Sequence, residues 1–352
     1  LVSFDNQKND KAIKFFNSSK FLIKKHDNFL REYVFSLVLD GQVKQAIKQI
    51  KITKNSKNSN FFEANLLLTL DSLIKKKYQQ ASKGLDKLLT FQEDGTYEFV
   101  IIKSLENYNY LFHNKVIKKK NGNLGTIDSI TDAFQNCYLN SNKTNSHFLN
   151  IINSSESDYS RYLFFYLGNI IKNEDYDTAI EISKTIEPLT SGLLIAQANK
   201  WIVNNDYNKF DEHFSCKNEN DLLAEFFFLI SNLYSSQDQF KESNFYINIS
   251  NYLNPKFYFN LSLLAENNHL NDNIELAKRI LQIFKKEDEV YHWFKIKKNT
   301  QFLIEKKSEE AALNYFEKNI YSLKNPSNKI LFDIGNIYKK FKNYKKAIEY
   351  YS

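Results

Sequence analysis

Small residues return along this chain at a nearly constant step. Ala12, Ala46 and Ala81 lie 34 and 35 residues apart, and Ser243 and Ala277 lie 34 apart. Ala179, Ala311 or Ala312, and Ala347 fall on the same lattice, and Phe210 occupies one of its nodes as a weak match. Large residues frame each node at helical spacing. Near the end they are Leu331, Ile334 and Tyr338 around Gly335, then Tyr344 and Tyr351 around Ala347. Phe227, Ile230, Tyr234, Phe240 and Ile247 frame Ser231 and Ser243 in the same way, and Leu261, Leu264, Ile274, Leu281 and Phe284 frame Ala265 and Ala277. Apolar residues three and four apart predict amphipathic helices. A small residue on each of two antiparallel helices lets them approach, while the large ones fill the seam. A period of this length therefore predicts an array of helix pairs, not a set of unrelated domains.

The order of large and small positions resembles the tetratricopeptide repeat family. In that register Ser231, Ala265 and Gly335 hold the small position of the first helix, Ser243, Ala277 and Ala347 hold that of the second, and Pro255 holds the repeat-ending position. The resemblance covers most of the chain. It implies an all-α fold: a right-handed superhelical α-solenoid of roughly ten antiparallel helix pairs. It departs from the family where Phe164, Phe227, Leu261 or Leu331 stands in place of the usual Trp. Ser243 and Phe210 at the second small position predict pairs that sit further apart or cross differently. Residues 1–95 read as repeats with the first incomplete, 96–160 as degenerate helical repeats with loops, and 161–352 as repeats with the last incomplete. Within the middle segment "KVIKKKNGNLGT" and "INSSESDYS" predict loops, and "IDSITDAFQNCYL" predicts one helix.

Composition agrees with this and narrows function. The 30 Phe and 22 Tyr supply a bulky core, while 8 Gly and 3 Pro are too few for the tight hairpins of an all-β chain. Net charge is +7, but Arg31, Arg161 and Arg279 are the only arginines, which lowers a nucleic-acid reading. Cys137 and Cys216 show no metal-ligand spacing, and they predict neither a metal site nor a disulfide framework. "YLFFYLGNII" is too short to span a bilayer, and no transmembrane segment is expected. No glycine loop for phosphate, no HExxH and no i, i+4 histidine pair is present, so no cofactor and no metal are expected. The acids of "SEE" and "EDE" and the lysine triplets of "SLIKKKYQQ" and "VIKKKNGN" read as solvated helix-end charge.

One constellation points to binding. Asn169, Asn232 and Asn336 each follow the small residue of a first helix. In the family that position faces the inner surface of the superhelix, and peptide-binding members use asparagine there, because one amide donates to and accepts from an extended backbone. Phe165, Phe228, Phe332, Lys339, Lys340 and Glu266 share the face. Asn is abundant in this chain, so the same pattern also has a purely compositional reading. The resemblance implies a non-catalytic protein–protein interaction scaffold that binds a protein or peptide partner, with bacterial envelope assembly or regulation as a setting. The competing reading is a targeting arm of a larger enzyme whose catalytic domain lies outside the segment. Both leave the compartment open, cytoplasmic or envelope-associated. A chain without Met that starts and stops inside the repeat register reads as an internal fragment. It is expected to self-associate through its open solenoid ends and to fray at the last helix, where Ala347, Ile348, Tyr350 and Tyr351 face no following helix.

Overall fold

A computed structural model describes residues 9–26, 28–53, 57–93, 95–119, 124–154, 160–187, 189, 191–305 and 308–352. Parts of the two loops expected around residues 115–126 and 152–160 lie outside these. Among the described residues there are 20 α-helices and no strand. They run α1 Asn9–Ser18, α2 Phe29–Leu39, α3 Val43–Thr53, α4 Phe62–Ile74, α5 Tyr78–Leu88, α6 Tyr97–Asn114, α7 Thr126–Leu139, α8 Thr144–Ile152, α9 Arg161–Lys172 and α10 Tyr176–Thr185. The series continues with α11 Leu193–Val203, α12 Asn208–His213, α13 Glu219–Ser235, α14 Phe240–Leu253, α15 Leu261–Leu270, α16 Ile274–Leu281, α17 Glu289–Glu305, α18 Glu309–Ile320, α19 Asn328–Lys340 and α20 Tyr344–Tyr351. Neighbours in sequence pack as pairs. The helix expected at "IDSITDAFQNCYL" is α7. No helix among the described residues is long and apolar enough to cross a membrane.

One turn recurs between paired helices. Gly41, Lys76, Asn140, Glu174, Asn205, Asp238, Asp272 and Lys342 all have φ between 55° and 76°. After each of them, the next backbone N–H reaches back five residues to a helix carbonyl. Examples are Gln42 to Leu37 at 2.8 Å, Lys77 to Ser72 at 2.8 Å, Gln239 to Tyr234 at 3.0 Å and Asn343 to Tyr338 at 2.9 Å. This is a Schellman termination, which satisfies carbonyls that a helix end leaves open. In most cases the following helix begins two residues after the left-handed residue, so the turn fixes where the second helix starts. The small residue then falls at the fourth helical position: Ala12, Ala46, Ala81, Ala179, Ser243, Ala277, Ala312 and Ala347 all do so, and all are buried. A small side chain at such a node leaves room for a neighbouring helix. Gly84 shows the same economy, since a Cβ there would lie 2.3 Å from Thr69 Oγ1.

One expectation about spacing needs correction. Ser243 does not hold its pair apart. Ser231 and Ser243 are both fully buried, and each hydroxyl donates to the other's backbone carbonyl, at 2.9 and 2.8 Å. Serine is small enough for the close crossing, and its hydroxyl is satisfied across it. Phe210 packs its ring over Gly168, 3.4 Å from where a Cβ would be, and against Phe164 and Trp201 at centroid distances of 5.2 and 5.4 Å. The large residue at this node is thus accommodated by a glycine of a neighbouring pair, on α9.

The chain divides into two compact units, each made of two separated segments. Unit 1 comprises Leu1–His147 and Phe214–Asn273. A stack in strict chain order brings each repeat against its sequence neighbours alone. Unit 1 adds joins across long separations. Phe35 of α2 stacks on Phe245 of α14 at 4.5 Å, Asn248 donates to the Leu39 carbonyl, and Tyr97 of α6 meets Tyr234 of α13 at 4.6 Å. Unit 2 comprises Phe148–His213 and Ile274–Ser352. Its C-terminal part holds a core of Trp293, Ile296, Phe316, Ile320, Ile330, Ile334, Tyr338 and Ala347. Within α20 Ala347 is buried and Tyr350 stacks on Tyr338 at 5.6 Å, while Ile348 is 65% exposed and Tyr351 43% exposed.

Candidate functional site

The residues expected to line a peptide groove fall in both units. Asn232 and Phe228 lie on α13 of unit 1; Asn169 and Phe165 on α9, and Asn336, Phe332 and Lys339 on α19, belong to unit 2. Within unit 2, α11 and α17 intervene between α9 and α19 in the order of packing. Asn232 is exposed and its side chain forms no hydrogen bond among the described residues, so its amide is available. Phe228 beside it is half-buried. Asn336 is exposed, but its Oδ1 accepts from the Tyr351 hydroxyl at 2.8 Å, and Phe332 meets the Tyr351 ring at 5.5 Å. The last helix therefore already engages part of the α19 face. Lys339 is exposed and Asn169 half-buried. Phe165 is 2% exposed and packs against Phe164, Tyr162 and the Arg161 guanidinium, so it belongs to the core and offers no surface to a ligand.

The structure assembles a polar cluster that no local pattern announces. Glu219, at the first position of α13, accepts from the Tyr78 hydroxyl at 2.9 Å, from the Tyr138 hydroxyl at 2.8 Å and from Lys115 Nζ at 3.2 Å. Lys115 also contacts the Tyr138 hydroxyl, and Lys217 Nζ donates to the Tyr138 carbonyl at 2.7 Å. Burial, then the Glu219 carboxylate, raises the Tyr78 hydroxyl above its ordinary pKa. Burial would lower the Lys115 amine, but its bonds to Tyr138 and Glu219 outweigh that and raise it. Both shifts favour the protonated donors that this carboxylate needs. A buried carboxylate with three donors is a saturated structural knot, and it pins α5, α6 and α7 to the start of α13.

The neighbours of that knot, Cys137 and Cys216, form a disulfide with Cα atoms 5.7 Å apart. This corrects the sequence expectation. Spacing along the chain carried no sign of it, because the two residues are 79 apart and meet through the assembly of unit 1. The bond closes that unit where the chain leaves it after His147 and returns at Phe214. No group of three metal-binding side chains occurs among the described residues. Compared with models of protein families and with curated proteins, the chain matches none.

Proposed function

We propose that this protein is a non-catalytic interaction scaffold. Its helix pairs act as tetratricopeptide-like repeats that stack, within runs inside each unit, into right-handed superhelical surfaces gripping peptide segments of a partner. The observation that carries the reading is the recurrence, in most of the helix pairs from α2–α3 to α19–α20, of the same turn and a buried small residue. A chain that repeats its joints in this way produces continuous surface along its helices. Asn232 is the strongest groove position, being exposed with its amide unengaged among the described residues. The disulfide supports a working place outside the reducing cytosol, such as a bacterial envelope, because disulfides persist where thiols stay oxidised.

The test is selection of a displayed random peptide library on the folded chain, followed by titration of the selected peptides against Asn232→Ala. A lost backbone hydrogen bond is worth about 0.5–1.5 kcal/mol, so the variant should bind about three- to tenfold more weakly with its fold unchanged. Peptides that bind both proteins equally move the site away from α13, and a selection that yields no binder overturns the scaffold reading.

A further inference from the structure

A second surface in unit 1 has a chemistry of its own. Helix α3 buries Val43, Ala46, Ile47 and Ile50 on one side. Lys44, Lys48 and Lys51 recur at i, i+4 and i+7 on its other side, and the helix contains no acidic residue to offset them. Like charges four apart on a helix destabilise it slightly, so this stripe carries a cost that nothing on α3 relieves. The stripe borders a cleft of about 850 Å³ formed with Ile74, Asp71 and Lys75 from the end of α4 and Tyr252 from α14. Gln42 and Gln45 complete its polar rim.

The charges in the cleft do not balance. Asp71 is its one acid, and it accepts from Lys51 at 2.6 Å and from Lys75 at 2.8 Å. Burial would raise the Asp71 carboxyl, but the two ammonium groups outweigh burial and hold it below its usual value. One carboxylate thus serves two lysines, while Lys44 and Lys48 are exposed and have no acidic partner among the described residues. The remaining polar donors are the Gln45 amide and the Tyr252 hydroxyl, which suit carboxylate oxygens, and the Gln42 amide, which already donates to Asp40 at 2.7 Å. Ile52 stands at the edge with 68% of its surface in water. A volume of this size lies within the range of small-ligand and peptide-anchor pockets.

We propose that this lysine-lined cleft is a docking site for an acidic, extended segment of a partner protein that places carboxylates on Lys44 and Lys48 and an aliphatic side chain against Ile52. The charge complementarity selects an anion. A polypeptide is favoured over nucleic acid because every cation is a lysine without arginine's phosphate-matching fork, and because Ile52 and Ile74 offer apolar contact to a side chain. The proposal rests on the scaffold reading only in taking a polypeptide as occupant; it uses neither Asn232 nor the α13 face.

The probe is a fluorescein-labelled peptide of six glutamates with one central leucine, titrated by anisotropy against the full chain at low salt. Controls are the same peptide with glutamine for every glutamate and a labelled single-stranded oligonucleotide. We expect saturable binding of the glutamate peptide, loss of about tenfold or more in Lys44→Glu/Lys48→Glu, about threefold in Ile52→Ser, and no binding of the glutamine peptide. Both variants alter exposed side chains, and an unchanged circular dichroism melt confirms that they fold. Equal binding of the glutamine peptide overturns the proposal, as does tighter binding of the oligonucleotide. Glutamate-peptide binding untouched by the double variant overturns the cleft while leaving the scaffold reading intact. No binding at all also overturns the cleft, and the Asn232 titration then decides the scaffold reading by itself.

Discussion

Units 1 and 2 share the same joint and close themselves by different means. In unit 1 the two chain segments are tied by the Cys137–Cys216 disulfide, by Phe35 stacked on Phe245, and by Glu219 drawing in Tyr78, Lys115 and Tyr138. In unit 2 the segments meet at α11 through single side chains, among them an ion pair of Lys200 with the buried Glu289 carboxylate. Gln197 Oε1 accepts from the Val290 N–H at 3.1 Å, and Lys200 Nζ donates to the Asn325 carbonyl at 2.6 Å. The comparison separates two tasks. The turn and the small residue build each pair locally, whereas closing a unit falls to contacts between distant segments, and those differ in kind. Unit 1 should therefore answer to redox state, and unit 2 should not.

The largest expected effect breaks that difference outright. Replacing both Cys137 and Cys216 by serine releases a closed loop of 79 residues, for which chain entropy gives about 4 kcal/mol. The loss should fall on unit 1: amides of α7 and α13 lose hydrogen-exchange protection while those of α17 and α19 keep theirs. Equal loss in both units would show that the disulfide supports the whole chain and that the contrast is false.

Next in size is an effect of pH. Asp221 of α13 is buried, and burial raises its carboxyl to about 6 from 3.8, against the opposing pull of the Ser215 N–H and the Lys256 charge. A folded-state pKa above the unfolded one means that the folded state holds the proton more tightly. Its contribution is full below pH ~4 and is lost as pH rises through ~6, about 3 kcal/mol in all. Asp221→Asn stays neutral and its side-chain oxygen still accepts from Ser215. Denaturant midpoints of unit 1 should then be flatter between pH 4 and 7 and higher at neutral pH than in the parent protein. Parallel curves for the two proteins would exclude an ionisation penalty at this residue.

A core substitution tests the shared joint. Ala312 is fully buried at the fourth position of α18. Ala312→Phe should destabilise unit 2 by about 1–3 kcal/mol through overpacking. Ala46→Phe, at the equivalent fully buried position of α3, should do the same to unit 1. Unfolding at the parental midpoint in either variant would mean that its helix pair has room to spare and that the register is misplaced there.

What the sequence made legible was what is local. The step from Ala12 to Ala46 to Ala81 can be read because each small residue answers a helix within the same 34-residue stretch, and all three are buried on helices as the period requires. The disulfide, the Glu219 knot and the Phe35–Phe245 stack were not legible, since their members are 79, 81 to 141, and more than 200 residues apart and no periodicity links them. Among the site residues, Asn232 is exposed as the register suggested. Phe165 was misjudged: its neighbours Tyr162 and Phe164 make that face of α9 part of the core, so an aromatic there packs inward. The Lys75–Lys77 run was read as helix-end charge, which fits Lys76 in the turn but misses that Lys75 shares Asp71 with Lys51 from another helix.

The smallest effect is the sharpest probe of whether the joints are equivalent. Lys76 in unit 1 and Lys342 in unit 2 adopt φ of 56° and 58°, and the N–H groups that follow them close the same five-residue bond at 2.8 and 2.9 Å. A side chain in this left-handed conformation costs about 1–2 kcal/mol, whereas glycine adopts it freely but loses more backbone entropy on folding. The net gain from Lys76→Gly or Lys342→Gly is thus about 0.5–1 kcal/mol, read as a raised denaturant midpoint of the unit that carries it. Gly41, at φ 76°, is the natural control, and Gly41→Ala should lower the midpoint of unit 1 by about the same amount. Because the turn geometry is shared, the two lysine variants should gain equally despite the different ways their units are closed. A gain in one unit alone would mean that closure constrains the turn, and the separation of local joint from distant closure would fail.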